Sequence, residues 1–349
     1  MNILFLYSEL AGYSIACMKK VMELYPNVKI TVIRWPINKE APFQFDFGAI
    51  EVHEKNTFSE KQLITFVKEI NPTLIVCSGW MDKTYVKICQ IYKGKIPTVL
   101  TLDNHWRGDL KQRLAQILSP FFIKSKFSHA WVPGEKQYTY AKKLGFKGDK
   151  IKKGFYSADV ELFTSYRNRL KTETDNHFPK RLLYVGRYVE HKGIFYMWKA
   201  FTELQAEQPN EWELWCVGTG DQWENRVQHP KIKHLGFLQP NEFEEVITNT
   251  SVYILPSHFE PWGVSLHEFV TVGYPVICSE QVGSAEQFLK NNENGFSFPS
   301  GDVAELKKAM VNIMQLNEAE CKAMQLKSVE LAQTITPETW SKTLMSFIN

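Results

Sequence analysis

SVYILPSHFEPWGVSLHEFVTVGYPVICSE, residues 251–280, contains an apolar run, a Pro-Trp-Gly turn, a stretch with helical spacing and a second apolar run. Pro261 and Gly263 break the chain after the first run, and the spacing beyond them predicts a helix over 263–272. At about 100° per residue, Leu266, Phe269 and Val270 fall on one side of that helix and face a core, and Glu268 lies off that side. Strand, helix and strand within so short a stretch form a crossover unit whose two strands run parallel. The same stretch places Glu260 and Glu268 eight residues apart. Two carboxylates suggest acid/base chemistry or a metal, whereas a glycine turn entering a helix suggests an anion site.

Working outward, the alternation recurs. The apolar runs NILFLYS, VKITVIRW, TLIVCSG, PTVLTLD and HAWVPG are separated by helix-like stretches at 59–70, 82–93 and 134–144. The theme restarts at RLLYVGR and continues through ELWCVGTG, IKHLGF, SVYILPS and PVICSE, followed by helices predicted at 302–316 and 318–333. Between the two sets, TSYRNRLKTETDNHFPK (164–180) is polar, charged and without clear period, and reads as a linker. Thr336-Pro337-Glu338 is a helix-start signal for the tail. The expected fold class is α/β, with two Rossmann-like domains facing each other across a cleft, 1–165 and 166–335. Ligands in such sheets sit at the carboxyl ends of the strands.

A chain of 349 residues exceeds one ordinary core, which agrees with two domains. No apolar run reaches ~18 residues, so no membrane-spanning helix is expected. MNILFLYSELAGYS lacks a basic start and a cleavage site and reads as a first strand. The six cysteines, 17, 77, 89, 216, 278 and 321, are scattered without a CxxC, and suit a reduced, buried state in a cytoplasmic protein. Net charge is +3 but unevenly divided: residues 1–165 carry 24 Lys and Arg against 15 Asp and Glu, and residues 166–349 carry 17 against 23. Halves of opposite sign suggest different partners.

The chemistry-bearing residues follow the apolar runs of the second half. After RLLYV come Gly186 and Arg187, then Lys192 and Gly193 opening the next helix. Two cations around a glycine turn and a helix start form an anion-binding arrangement. Gly218-Thr219-Gly220-Asp221 after ELWCV is a turn where a ligand could approach the backbone. Glu260 ends the strand at the cleft side. No two aspartates stand two apart and no HExxH occurs, so a carboxylate cage for a divalent cation cannot be pointed to.

YVGRYVEHKG, CVGTGD, HLGFLQPNE and ILPSHFEPWGVSLHEFVTVGYPVICSEQVGSAE, in that order, resemble the retaining glycosyltransferases of family 4, which have the GT-B fold; the resemblance covers most of 181–305. GFYSADVELF (154–163) resembles the family's exit from its N-terminal domain, and helix 336–349 the one that crosses back to it. The resemblance implies an acceptor-side domain first and a nucleotide-sugar donor domain second. It also implies separate roles for the carboxylates: Glu260 at the donor sugar near the reacting carbon, Glu268 at the ribose hydroxyls. Backbone N–H groups of Gly263, Val264 and Ser265, beside Pro261 and Trp262, would approach the phosphates. Arg187 and Lys192 would hold the diphosphate, with Gly186, Gly218 and Gly220 close by, and main chain at Gly236, Phe237 and Leu238 would lie near the base. Two cations and a helix end would replace a metal, and no cofactor beyond the nucleotide-diphosphate sugar is implied.

The first half departs from the family. The loop after the first strand, SELAGYS, holds only Gly12 where the family is often glycine-rich, and it is placed with Asp103 on the acceptor side. His105 falls near a family position that often carries a catalytic histidine or acidic neighbour. RGDLKQRLAQILSPFFIKSKF (107–127) mixes five cations with large apolar residues. It reads either as a segment resting on an anionic membrane that holds a lipid-linked acceptor, or as a core helix with a basic outer face. The expectation is a metal-independent retaining transferase moving a hexose-type sugar to a glycan or glycolipid hydroxyl in cell-surface polysaccharide assembly. It would be cytoplasmic or peripheral at the inner face of the membrane, with no nucleic-acid partner. A sugar-nucleotide epimerase on the same fold and a noncatalytic sugar-nucleotide binding subunit are the rival readings.

Overall fold

The computed structural model describes residues 1–37, 42–173 and 178–348, without the side chains of 171–173. The chain divides into two compact units, Met1–Asp159 with Ile335–Asn349, and Val160–Thr334.

In the first unit, strands β1 (Asn2–Tyr7), β2 (Lys29–Arg34), β3 (Glu51–Glu54), β4 (Leu74–Ser78), β5 (Thr98–Thr101), β6 (His129–Trp131) and β7 (Ile151–Lys152) form one parallel sheet. Their order is β3-β2-β1-β4-β5-β6-β7. The crossovers carry α1 (Gly12–Leu24), α2 (Glu60–Ile70), α3 (Lys83–Tyr92), α4 (Leu110–Phe122) and α5 (Glu135–Lys143). Alternate residues of β1 enter different cores: Ile3, Phe5 and Tyr7 on one face, Leu4 and Leu6 on the other. A strand buried on both faces is the reason NILFLY reads as a continuous apolar run.

In the second unit, β8 (Arg181–Val185), β9 (Glu213–Val217), β10 (Ile232–Gly236), β11 (Val252–Leu255), β12 (Val276–Ser279) and β13 (Gly295–Phe298) make a parallel sheet ordered β10-β9-β8-β11-β12-β13. Its helices are α6 (Val160–Glu173), α7 (Ile194–Glu207), α8 (Phe243–Asn249), α9 (Val264–Val272), α10 (Ala285–Phe288), α11 (Val303–Met314) and α12 (Glu318–Ala332). The stretch that opened the sequence reading is β11–α9–β12, with Leu266, Phe269 and Val270 buried as expected. Tyr253 of β11 stacks on Phe269 with ring centroids 4.5 Å apart.

The first ten residues of the expected linker, 164–173, are the body of α6. Its buried face is carried by Phe163 and Tyr166, and Phe163 packs edge-on against Phe269. The apolar positions lie at and just beyond the N-terminal edge of the polar stretch, so 164–180 taken alone shows no period. The helix belongs to the second unit.

The tail forms α13 (Pro337–Met345), capped as Thr336-Pro337-Glu338 indicated, with Thr336 accepting from the Thr339 N–H. It packs into the first unit, where the Trp340 indole donates to the Phe155 carbonyl at 2.6 Å and its ring lies against Trp131. All six cysteines are buried and free. Among the described residues no helix is long and apolar enough to cross a membrane.

Candidate functional site

In the second sheet the chain runs outward from β8 in both directions, through β9 and β10 on one side and β11 to β13 on the other. The switch point therefore lies between β8 and β11, the position at which sheets of this kind generally open a ligand crevice at the carboxyl ends of their strands. Arg187 and Lys192 follow β8, and Glu260 follows β11. The sequence-derived cations and carboxylate thus flank the one place in this sheet where topology favours a ligand.

The loops are tied together by main chain. On one side the Gly186 N–H donates to Val217 (3.0 Å), the Tyr188 N–H to Thr219 (2.9 Å) and the Gly218 N–H to Gly236 (2.6 Å). Across the switch point the His258 N–H donates to the His191 carbonyl at 2.8 Å. Beyond it, Gly283 N–H donates to Glu260 (3.0 Å), Ser284 N–H to Trp262 (2.8 Å), and the Ser284 hydroxyl to the Gly263 carbonyl (2.9 Å). Backbone bonds thus link the loops from β10 to β12 and fix where the side chains start.

Close main-chain approaches here require glycine, most sharply at Gly193 and Gly218. Gly193 has φ +70° and opens α7; a Cβ on it would fall on the Pro256 carbonyl. Gly218 has φ +129° and would likewise strike the Gly186 carbonyl. Gly12, by contrast, has ordinary φ, and an added Cβ would meet only a Phe45 ring carbon at 3.9 Å.

Lys192 and Glu260 form an ion pair, with side chains 17% and 12% exposed. The buried Tyr184 donates to the Arg187 carbonyl at 2.9 Å, and the buried Tyr253 donates to the Ser265 hydroxyl at 2.7 Å. Burial pushes both phenols well above their ordinary range, so they serve as neutral donors under the site. The charges of Glu268 and Glu260 both reach Tyr253. His191 is held below its ordinary value by burial, then by Lys192 and Arg187. Helices α7 and α9 start at Gly193 and Gly263 with no side-chain cap and no acidic residue in the first turn. Helices α2, α3, α4, α11, α12 and α13 are capped by Ser59, Asp82, Asp109, Asp302, Asn317 and Thr336. The uncapped ends leave N–H groups and partial positive charge at the crevice.

Glu268 is partly buried on α9, as are Gly263, Val264, Ser265 and Pro261, while Trp262 is buried. Phe237 and Leu238 are partly buried just past β10. Sequence reasoning missed His191, His258, Tyr184, Tyr253 and the 281–284 strap. The tyrosines sit inside the runs RLLYV and SVYIL, where nothing separates a supporting hydroxyl from an ordinary core ring.

The remaining residues belong to the first unit. Gly12 begins α1 just after β1, beside that sheet's own switch point between β1 and β4. Asp103 accepts from the Tyr156 hydroxyl at 3.4 Å. His105 is buried, and its imidazole is lowered by burial and then by Lys136 and Arg107, so it stays neutral. Its carbonyl accepts from the Gln112 amide at 2.8 Å. Among the described residues, no group of three or more His, Cys, Asp and Glu side chains is placed to hold a metal ion.

Residues 167–327 match the model of the family described as glycosyl transferases group 1. The matched relatives include an uncharacterized glycosyltransferase of Methanocaldococcus jannaschii, 29% identical over 38% of this chain and 34% of that protein. A glycogen synthase of Mycobacterium tuberculosis is 28% identical over 39% of this chain and 34% of that protein. The chain thus spans about a third of the length of these relatives. Among solved structures, Anabaena HepE in complex with UDP and glucose superposes with a TM-score of 0.75 at 16% identity, covering 99% of this chain and 98% of that one. The two parallel-sheet units have the GT-B fold, and the group 1 match lies within the second.

Proposed function

We propose that the chain is a retaining glycosyltransferase of family 4 that moves a hexose-type sugar from a nucleoside diphosphate to a hydroxyl of a glycan or glycolipid, without a metal, in cell-surface polysaccharide assembly. The observation that carries the reading is the pairing of Lys192 with Glu260 across the β8/β11 switch point, between two uncapped helix starts. Breaking a sugar–phosphate bond puts negative charge on the departing diphosphate and positive charge on the sugar ring. Arg187, Lys192 and the N–H groups at the starts of α7 and α9 would stabilise the first; fixed donors of this kind supply large catalytic terms. Glu260 would stabilise the second and orient the sugar. A bound diphosphate would draw Lys192 away from Glu260, releasing the carboxylate for the sugar at the moment the donor binds.

The carboxylates then have separable effects. Glu268→Ala weakens binding of the free nucleoside diphosphate, because ribose contacts are lost. Glu260→Ala slows turnover and leaves nucleotide affinity unchanged or raised, because Lys192 loses its competing partner. Calorimetry with the free nucleotide checks this; equal losses of affinity in the two variants would overturn the division of roles.

Turnover is expected to survive EDTA, since the cations at the site are side chains. Loss of activity on chelation, restored by Mn²⁺ or Mg²⁺, would contradict metal independence. The product should keep the anomeric configuration of the donor, which proton NMR of the first turnover reads directly.

A further inference from the structure

Helix α4 reverses the usual amphipathic pattern. Its inward face is small and polar: the buried Ser119 hydroxyl donates to the Leu144 carbonyl at 2.6 Å, and Gln112 accepts from the N–H groups of Arg107 (2.6 Å) and Gly108 (3.0 Å). The Asp109 cap accepts from the Gln112 N–H and satisfies the first turn of the helix. Its outward face carries Leu110, Leu114, Ile117, Leu118, Phe121 and Phe122, with Leu110 85%, Ile117 70% and Phe121 72% exposed. Positions 110, 114, 117, 118 and 121 follow the spacing of a single helical stripe. The core-helix reading of 107–127 therefore fails for α4, whose large apolar side chains face outward because hydrogen-bonding residues occupy the inner positions; Ile123 and Phe127, beyond its end, are buried. Isolated exposed apolar residues are ordinary, but a contiguous stripe of this kind marks an interaction surface.

Beside the stripe lies an open groove of about 1040 Å³. Lys93, Arg113, Lys124 and Lys143 line it, with Trp106 and Pro120, and no Asp or Glu does. Among the described residues none of these four cations is ion-paired. Lys143 lies over the Trp106 ring at 4.7 Å and Lys124 over Phe146 at 4.6 Å. Lys93 and Lys124 are each lowered by burial and then by neighbouring lysines, so the groove gathers positive charge at some cost.

We propose that α4 and this groove dock the protein on an anionic lipid bilayer: the stripe enters the headgroup–acyl boundary with α4 lying in the membrane plane, and the groove receives lipid phosphates. An apolar face flanked by cations is what such an interface selects. A second copy of the chain is disfavoured as the occupant, because pairing two stripes about a two-fold axis brings two basic grooves together. At 13 residues α4 is too short to span a bilayer. The proposal goes beyond the transfer reaction and does not rest on it.

The test is cosedimentation of the full chain with vesicles of phosphatidylcholine alone, or of phosphatidylcholine and phosphatidylglycerol in equal parts. Binding is expected to the anionic vesicles at low salt and to weaken several-fold above roughly 0.1 M salt, where charges are screened. Leu114→Ser with Ile117→Ser and Phe121→Ser should lower that binding at least about thirtyfold, since three inserted side chains are lost. Lys93→Gln with Lys124→Gln and Lys143→Gln should reduce anionic binding to the level of neutral vesicles. Both sets are surface changes and should keep the wild-type unfolding midpoint and nucleotide affinity, which separates this outcome from failure of the transfer reading. Equal binding to both vesicle types, no binding at low salt, or an apolar variant that binds like wild type would each overturn the proposal. So would a dimer that the apolar substitutions dissolve, or stabilisation by inorganic phosphate without vesicle binding.

Discussion

Lys192→Ala lowers kcat/KM for sugar transfer by about 10²–10³-fold, the loss typical of removing one preorganised donor from a developing anion, or roughly 2.7–4 kcal/mol. The expectation rests on the position of Lys192: largely buried, at the start of α7, beside the Glu260 carboxylate. On the proposed reading, removing it would take a charge from the diphosphate, and it leaves Glu260 without this cation. The two residues are in contact, so Lys192→Ala and Glu260→Gln should not add; the double variant should lose much less than the product of the single losses. Arg187→Ala is expected to cost kcat/KM on a similar scale. Steady-state kinetics on the four proteins of the Lys192–Glu260 cycle checks the coupling, and strictly multiplicative losses would place the residues in separate roles.

Gly193→Ala should destabilise the second unit by at least about 3 kcal/mol. A non-glycine residue in the left-handed region costs about 1–2 kcal/mol by itself. Here the added Cβ also meets the Pro256 main chain, which cannot retreat freely because His258, two residues further on, is bonded to the His191 carbonyl. Backbone displacement at the switch point adds the rest. Gly12→Ala, with ordinary φ and open space, serves as the control and should change stability by less than about 1 kcal/mol. Urea unfolding followed by a probe in each unit checks both, since two units need not unfold in a single step. A Gly193→Ala protein as stable as wild type would mean that the β8 and β11 loops are not tied as described.

The sequence was most legible where burial imposed a simple pattern. β11–α9–β12 could be read because both strands are buried on both faces and the helix keeps one apolar side. Arg187, Lys192 and Glu260 could be placed because parallel sheets present their loops at one end. Three features were hidden for physical reasons. Helix α6 escapes the pattern because its apolar positions lie at the edge of a charged stretch. Helix α4 misleads because its stripe faces solvent, so periodicity alone assigns the wrong side to the core. The supporting tyrosines Tyr184 and Tyr253 look like any core aromatic until their hydroxyl partners are known. The proposed division of roles between Glu260 and Glu268 rests on resemblance, whereas the ion pair that gives Glu260 its partner is visible only in three dimensions.

The central claim is that the crevice between β8 and β11 holds a nucleoside diphosphate sugar through Arg187, Lys192 and the starts of α7 and α9. A thermal-unfolding screen against a panel of nucleoside diphosphate sugars tests it most directly, because a ligand that binds only the folded state raises its stability by mass action. The account predicts that one donor and its free nucleoside diphosphate raise the unfolding midpoint of the wild-type chain at concentrations well above Kd, and that the shift shrinks in Lys192→Ala and in Glu268→Ala. If no donor or nucleoside diphosphate shifts the midpoint even at millimolar concentration, or if the shift is undiminished in Lys192→Ala, the crevice is not the donor site.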